Sequence, residues 1–135
     1  SASATEADDT RAPGWTSDYK ADGVTNKVVG TCRGFVEKKG REPVVAGVGL
    51  AFKPDIDDLR ESPAKYIVSR IITESRADVL IVEPNIASHP SFNLTDCNEA
   101  YAKADIIVWL VRHTPFLSIA KDANKIALDF CGIRK

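Results

Sequence analysis

The chain alternates short β-branched apolar runs with stretches whose apolar residues recur at helical spacing. Val24, Val28, Val29, Cys32, Phe35 and Val36 share one helical face with Lys and Arg opposite, and Gly40 follows as a stop, which predicts an amphipathic helix over 24–39. Residues 43–52 (PVVAGVGLAF) run from a proline to the turn-forming KPDIDD and predict a strand over 44–51 buried on both faces. Ser62-Pro63 has the chemistry of a helix start, a hydroxyl cap followed by proline in the first turn. Ala64, Ile67, Val68, Ile71 and Ile72 then continue as a stripe that predicts a helix over 63–75. Further buried strands are predicted over 78–83, 105–111 (DIIVWLV) and 125–130, with a short helix over 98–103 and another opening at Thr114-Pro115. Strands joined through helices must lie parallel, so the expected class is α/β: a parallel sheet with helices on both faces in a single domain.

Residues 1–20 fit neither period. They are expected to be a linker or a tail of artificial origin, disordered, ahead of a domain over 21–135 that opens with its connecting helix. A length of 135 residues holds one core and no second full domain. The chain has no methionine and starts with serine, so it is expected to be a processed or truncated product. A formal charge of -1 gives no electrostatic reason to expect nucleic acid or an anionic membrane as partner. No apolar run approaches the roughly 20 residues of a membrane helix. Cys32, Cys97 and Cys131 are odd in number and widely spaced, which suits three buried thiols in a cytoplasmic protein and neither a disulfide framework nor a metal site.

In a parallel sheet of this kind, ligands bind beyond the carboxyl ends of the strands, here residues 52–60, 83–85, 112–113 and 131–132. The densest polar cluster, Lys53, Asp55, Asp57, Asp58, Arg60 and Glu61, falls there, directly before a helix amino terminus. Lys53 supplies a point charge for a phosphate, Arg60 a planar fork, and the helix its free N–H groups. Unshielded acids would repel phosphate, so Asp57 or Asp58 must be bonded into the loop or paired with Arg60; a merely solvated charged loop is the plainer reading of the spacing. Gly47-Val48-Gly49 resembles the start of a dinucleotide fingerprint, but Phe52 takes the third glycine position and no helix starts there, so both glycines are read as close packing of a strand against a helix. His113 is read as a packing or hydrogen-bonding residue at a loop edge, and Glu83 as a turn cap in preference to a ribose ligand. His89 and His113 lack partners at ligand spacing, so no metal is expected, and no catalytic residue is assigned.

The stretch 49–64 (GLAFKPDIDDLRESPA) closely resembles the GLAFKPxxDDxRESPA segment of the UDP-glucose/GDP-mannose dehydrogenase family, above all the branch acting on UDP-N-acetylmannosamine. The EPN turn at 83–85, ADIIVWLVRHTPF at 104–116 and the terminal LDFCGIRK extend the resemblance over about 24–135. The resemblance implies a Rossmann-like UDP-sugar binding domain, the third domain of an enzyme that oxidises a nucleotide sugar's primary alcohol to a carboxylate with NAD in two steps. It implies that Phe52 and Lys53 contact the substrate and that Arg60 contacts NAD across a domain interface. The thiol motif GGxCxPKD and the fingerprint GxGxxG are not in this sequence. The fragment is therefore expected to be inactive alone, with NAD bound mainly by a domain not in the chain. Its partners would be the UDP-sugar and the remaining domains of a homo-oligomeric enzyme, the fragment itself being a monomer. One departure stands at Cys131, where relatives carry a basic substrate-contacting residue; Arg134 or Lys135 could reach the same space. Alternatives from other classes are a stand-alone nucleotide or nucleotide-sugar binding module with a regulatory role, and a bare interaction surface.

Overall fold

Helix α1 (Ala21–Lys39) carries Asp22 in its first turn and Lys38 and Lys39 in its last, charges that complement the helix dipole. It starts earlier than the apolar stripe predicts, because Ala21 and Thr25 are buried too and the Thr25 hydroxyl donates to the Ala21 carbonyl at 3.0 Å. Gly40, at φ 75°, ends it by donating to the Val36 carbonyl at 2.8 Å. The computed structural model describes residues 21–60 and 62–133; the tail expected over 1–20 lies outside them. Helix α2 (Pro63–Glu74) begins as the sequence requires, with the Ser62 hydroxyl accepting from the Lys65 amide at 3.3 Å and proline in the first turn. The same hydroxyl donates to the Leu50 carbonyl at 2.5 Å, which fixes the helix start to the end of the first strand.

All four expected strands are present, and those whose predicted ends ran past the carboxyl edge stop earlier. They are β1 (Val44–Val48), β2 (Asp78–Val82), β3 (Ile106–Trp109) and β4 (Ile126–Asp129), with helix α3 (Cys97–Lys103) before β3 and a 3-10 helix (Thr114–Ser118) before β4. β1 does not reach 51 because Gly49 turns the backbone at φ 96° and the next two amides go to a side chain instead of a neighbouring strand. β3 ends at Trp109 because the amides of Leu110 and Val111 both converge on the Val48 carbonyl, at 2.9 and 3.3 Å. β4 ends because the Asp129 carboxylate takes the amides of Cys131, Gly132 and Ile133 at 3.2, 2.8 and 3.0 Å.

Every pairing is parallel and the order is β2-β1-β3-β4. From β1 the chain crosses to β2, then returns over β1 to reach β3. With crossovers of one hand, that reversal puts α2 and α3 on opposite faces. The side chains agree: a Cβ on Gly47 would lie 3.1 Å from Val68 of α2, whereas Trp109 on the other face meets Tyr101 of α3 and Phe116 with ring centroids 6.3 and 5.8 Å apart. Helix α1 packs on α2, its Val24, Val28, Cys32 and Phe35 joining Ile67, Val68 and Ile71 in the core. Only the central strands β1 and β3 are buried along almost their whole length. β2 and β4 are edges, with Asp78, Ile126 and Ala127 exposed, so the expectation that the second and fourth strands are buried is corrected: β2 meets only an isolated bridge from Leu94 on its outer side, and nothing among the described residues pairs beyond β4. Each fully buried aliphatic side chain of β1 and β3 contributes about 1.5–3 kcal/mol, which makes this pair the rigid floor of the molecule.

Candidate functional site

Strand connections diverge between β1 and β3, so the switch point of the sheet lies at the carboxyl ends of those two strands. Closure there is tight. A Cβ on Gly49 would stand 2.7 Å from the Val111 Cβ and 2.9 Å from the Val111 nitrogen, so glycine is required by its positive φ and by the approach of the backbone that follows β3. The helix-packing reading of the two glycines therefore holds for Gly47 and fails for Gly49.

Above this closure sits the loop 50–60. Its stem is fixed by Glu83 at the end of β2, which is 3% exposed. One carboxylate oxygen accepts from the amides of Leu50 and Ala51 at 2.8 and 3.0 Å, the other from the Asn85 amide at 2.9 Å. Glu83 thus serves the backbone of two strand ends. A fourth partner is His113, completely buried, whose Nε2 lies 2.9 Å from the first oxygen. Burial pushes the Glu83 carboxyl up, but the hydrogen bonds from His113, Leu50 and Asn85 outweigh it and leave the group below its ordinary value. His113 Nδ1 accepts from the Asp55 amide at 2.8 Å, so the ring proton stands on Nε2 and is donated to Glu83.

Asp55 lies at φ 62°, a region that costs a residue with a side chain roughly 1–2 kcal/mol, and is the only non-glycine among the described residues with positive φ. Its carboxylate accepts from the Thr114 amide and hydroxyl, both at 2.6 Å, and these bonds hold the carboxyl below its usual range. The Asn85 side-chain amide donates to the Ile56 carbonyl at 2.9 Å, and the Phe52 amide to the Asp58 carbonyl at 2.8 Å. Loop 50–60 is thereby cross-linked to the ends of β2 and β3.

Of the sequence-predicted site residues, Phe52 is half-buried and Lys53 is exposed, both directly after the β1 turn at the carboxyl edge. Arg60 is exposed at the far end of the same loop. It holds the Asp58 carboxylate as a fork, Nε to one oxygen at 3.0 Å and Nη2 to the other at 2.9 Å, and keeps that carboxyl down at about 2. Of the two candidate acids it is Asp58 that is neutralised, while Asp57 faces solvent. Cys131 does not take the place of a surface cation. Its side chain is 1% exposed, and burial, followed by the nearby Asp129 charge, pushes the thiol up to about 12. Sequence reasoning placed Glu83 and His113 correctly as structural residues but did not join them, and it missed the left-handed Asp55. The signal available was the recurrence of Asp, Glu-x-Asn and His-Thr after three successive strands. A cavity of about 240 Å³ lined by Ile72, Ala77, Val79, Ile81 and Phe92 runs along the outer side of β2, away from these residues. Among the described residues no group of three or more His, Cys, Asp or Glu is arranged to hold a metal ion, and no helix is long and apolar enough to cross a membrane.

The UDP binding domain of the UDP-glucose/GDP-mannose dehydrogenase family matches residues 46–133, from inside β1 to the turn after β4. The UDP-N-acetyl-D-mannosamine dehydrogenase of Campylobacter jejuni is 42% identical over 96 residues, covering 66% of this chain and 23% of the relative. That of Salmonella typhimurium is 39% identical over 128 residues, covering 90% of this chain and 29% of the relative. The chain thus spans about a quarter of the length of these curated relatives. Among solved structures, the UDP-D-ManNAc dehydrogenase from Pyrococcus horikoshii has the same fold, with a TM-score of 0.64 at 26% identity over 82% of this chain and 28% of that one. The match runs through the strand, loop and helix that build the carboxyl-edge site, and the chain belongs to the UDP-glucose/GDP-mannose dehydrogenase family as its UDP binding domain.

Proposed function

We propose that the chain is the carboxyl-terminal, substrate-binding part of an NAD-dependent nucleotide-sugar 6-dehydrogenase that converts UDP-N-acetylmannosamine to its uronate in two oxidations. In this reading Lys53 meets the diphosphate or sugar as a point charge, Phe52 packs against the same ligand, and Arg60 reaches NAD held mainly by another domain of the enzyme. The observation that carries it is the setting of Lys53: an exposed cation just after the central strand, at the switch point, on a loop cross-linked to two other strand ends. The names and identities of the relatives support the choice of sugar. Neutralisation of Asp58 by Arg60 supports an anion site, since one of the loop's acids is screened. Cys131 is buried, so the contact made by a basic residue in relatives falls to another group, and the candidates Arg134 and Lys135 lie outside the described residues.

Calorimetric titration of the chain with UDP and UDP-N-acetylmannosamine tests the reading. A hydrogen bond to a charged partner contributes about 1.5–3 kcal/mol, so Lys53→Ala should weaken binding about ten- to a hundred-fold. Arg60→Ala, which unscreens Asp58, should weaken UDP less than Lys53→Ala does and act mainly by raising the NAD requirement. Mixed with NAD and the nucleotide sugar, the chain should give no NADH absorbance, because it contains neither the thiol motif nor the dinucleotide fingerprint. Equal affinity of wild type and Lys53→Ala, or turnover by the chain alone, would refute the assignment.

A further inference from the structure

The backbone strain of the candidate site sits two residues beyond Lys53, at Asp55, and what restrains it reaches deep into the molecule. The Asp55 amide donates to buried His113, and its carboxylate is held by both donors of Thr114. His113 in turn donates to buried Glu83, and Glu83 accepts the amides of Leu50 and Ala51, the two residues that precede Phe52. The backbone is therefore gripped on both sides of Phe52-Lys53, before it by Glu83 and after it by Asp55 through His113. Only one ring tautomer serves, with the lone pair toward the Asp55 amide and the proton toward Glu83. A connecting turn needs none of this: a glycine at position 55 would relieve the strained φ, and apolar side chains would fill the space beneath the loop without a buried carboxylate and imidazole.

We infer that Glu83, His113 and Asp55 are positioning residues, which fix the Phe52-Lys53 backbone in its binding geometry before the ligand arrives. The inference rests on the proposed role of Lys53 as a ligand contact. A loop ordered in advance spares the ligand the cost of ordering it, so loss of the grip is felt as loss of affinity even though none of the three residues need touch the ligand.

The test uses the chain itself, titrated with UDP by calorimetry, with amide hydrogen exchange at Phe52 and Lys53 followed by NMR. Asp55→Ala removes the acceptor and keeps the strain, and should weaken UDP about ten-fold or more while exchange accelerates. Asn tolerates positive φ and can still accept from Thr114, so Asp55→Asn should stay within about three-fold of wild type. His113→Gln, whose amide can reach Glu83 but not the Asp55 amide, should resemble Asp55→Ala. Nitrogen shifts of His113 in the wild type should show the proton on Nε2. Wild-type affinity in Asp55→Ala, in a background where Lys53→Ala has lost binding, would overturn the inference and leave the proposed function standing. Absence of UDP binding in the wild type would remove the proposed function instead. Exchange at Phe52 and Lys53 would then decide the grip alone: faster in Asp55→Ala upholds it, and unchanged overturns it.

Discussion

Glu83 shows how one residue's chemistry can be dictated by the number of donors around it. Two oxygens face four donors, the amides of Leu50, Ala51 and Asn85 and the His113 ring, so an ionised carboxylate fits where an amide would direct its own N–H groups at one of them. Glu83→Gln is expected to cost about 2–4 kcal/mol at neutral pH, read from urea denaturation. The pH dependence follows from the depressed carboxyl. The folded state holds the proton less tightly than the unfolded state, so the stabilisation is complete above the unfolded value of about 4.3 and is lost as pH falls through the lower folded value. Asp55 and Asp105, also depressed, act in the same direction. Below about pH 5 the urea midpoint should decline, with a shallower decline in Glu83→Gln; identical low-pH profiles for the two proteins would count against this account.

At the scale of elements, glycines of one residue type divide by what surrounds them. Gly49 ends β1 with a positive φ and the Val111 backbone within contact distance, so Gly49→Ala combines strain with overpacking and should destabilise the fold by roughly 3 kcal/mol or more. Gly30, inside α1, has nothing within 4 Å of where a Cβ would stand, so Gly30→Ala should stabilise by about 0.5–1 kcal/mol through helix propensity alone. Thermal or urea unfolding of the two variants should move in opposite directions. Helix α2 illustrates coupling between elements: Ser62 both caps the helix and bonds the Leu50 carbonyl, so the helix cannot fray at its start without loosening the site loop.

The whole molecule is organised around two central strands and two exposed edges, and that gradient of burial sets the order in which its thiols react. Cys32 and Cys131 lie in the core and Cys97 is partly accessible at the start of α3; burial raises all three thiols. A disulfide reagent at pH 8 should therefore modify Cys97 first in the native chain, and Cys32 and Cys131 at a rate set by opening of the core. Rapid modification of Cys131 would contradict both its burial and the reading that it has left the ligand-facing surface. The candidate site lies at the carboxyl edge, where the buried central strands β1 and β3 run out into the loops that carry its residues.

Local pattern sufficed for the four β-branched runs, the stripes of α1 and α2, the Ser62-Pro63 start and the Gly40 stop. These follow from side-chain period, proline geometry and capping chemistry, which neighbours in sequence suffice to set. Lys53 was placed at the carboxyl edge by the same means, because a charged loop after a buried strand has nowhere else to go. The tertiary structure alone decided where strands stop, since the ends of β1, β3 and β4 are set by which carbonyl or carboxylate takes the next amide. It decided that Gly49 yields to Val111 and Gly47 to Val68, and that the fourth strand is an edge. Above all it decided that Asp55, Glu83 and His113 form one hydrogen-bonded chain, because three residues 28 to 58 positions apart meet only when parallel strands bring their carboxyl ends together.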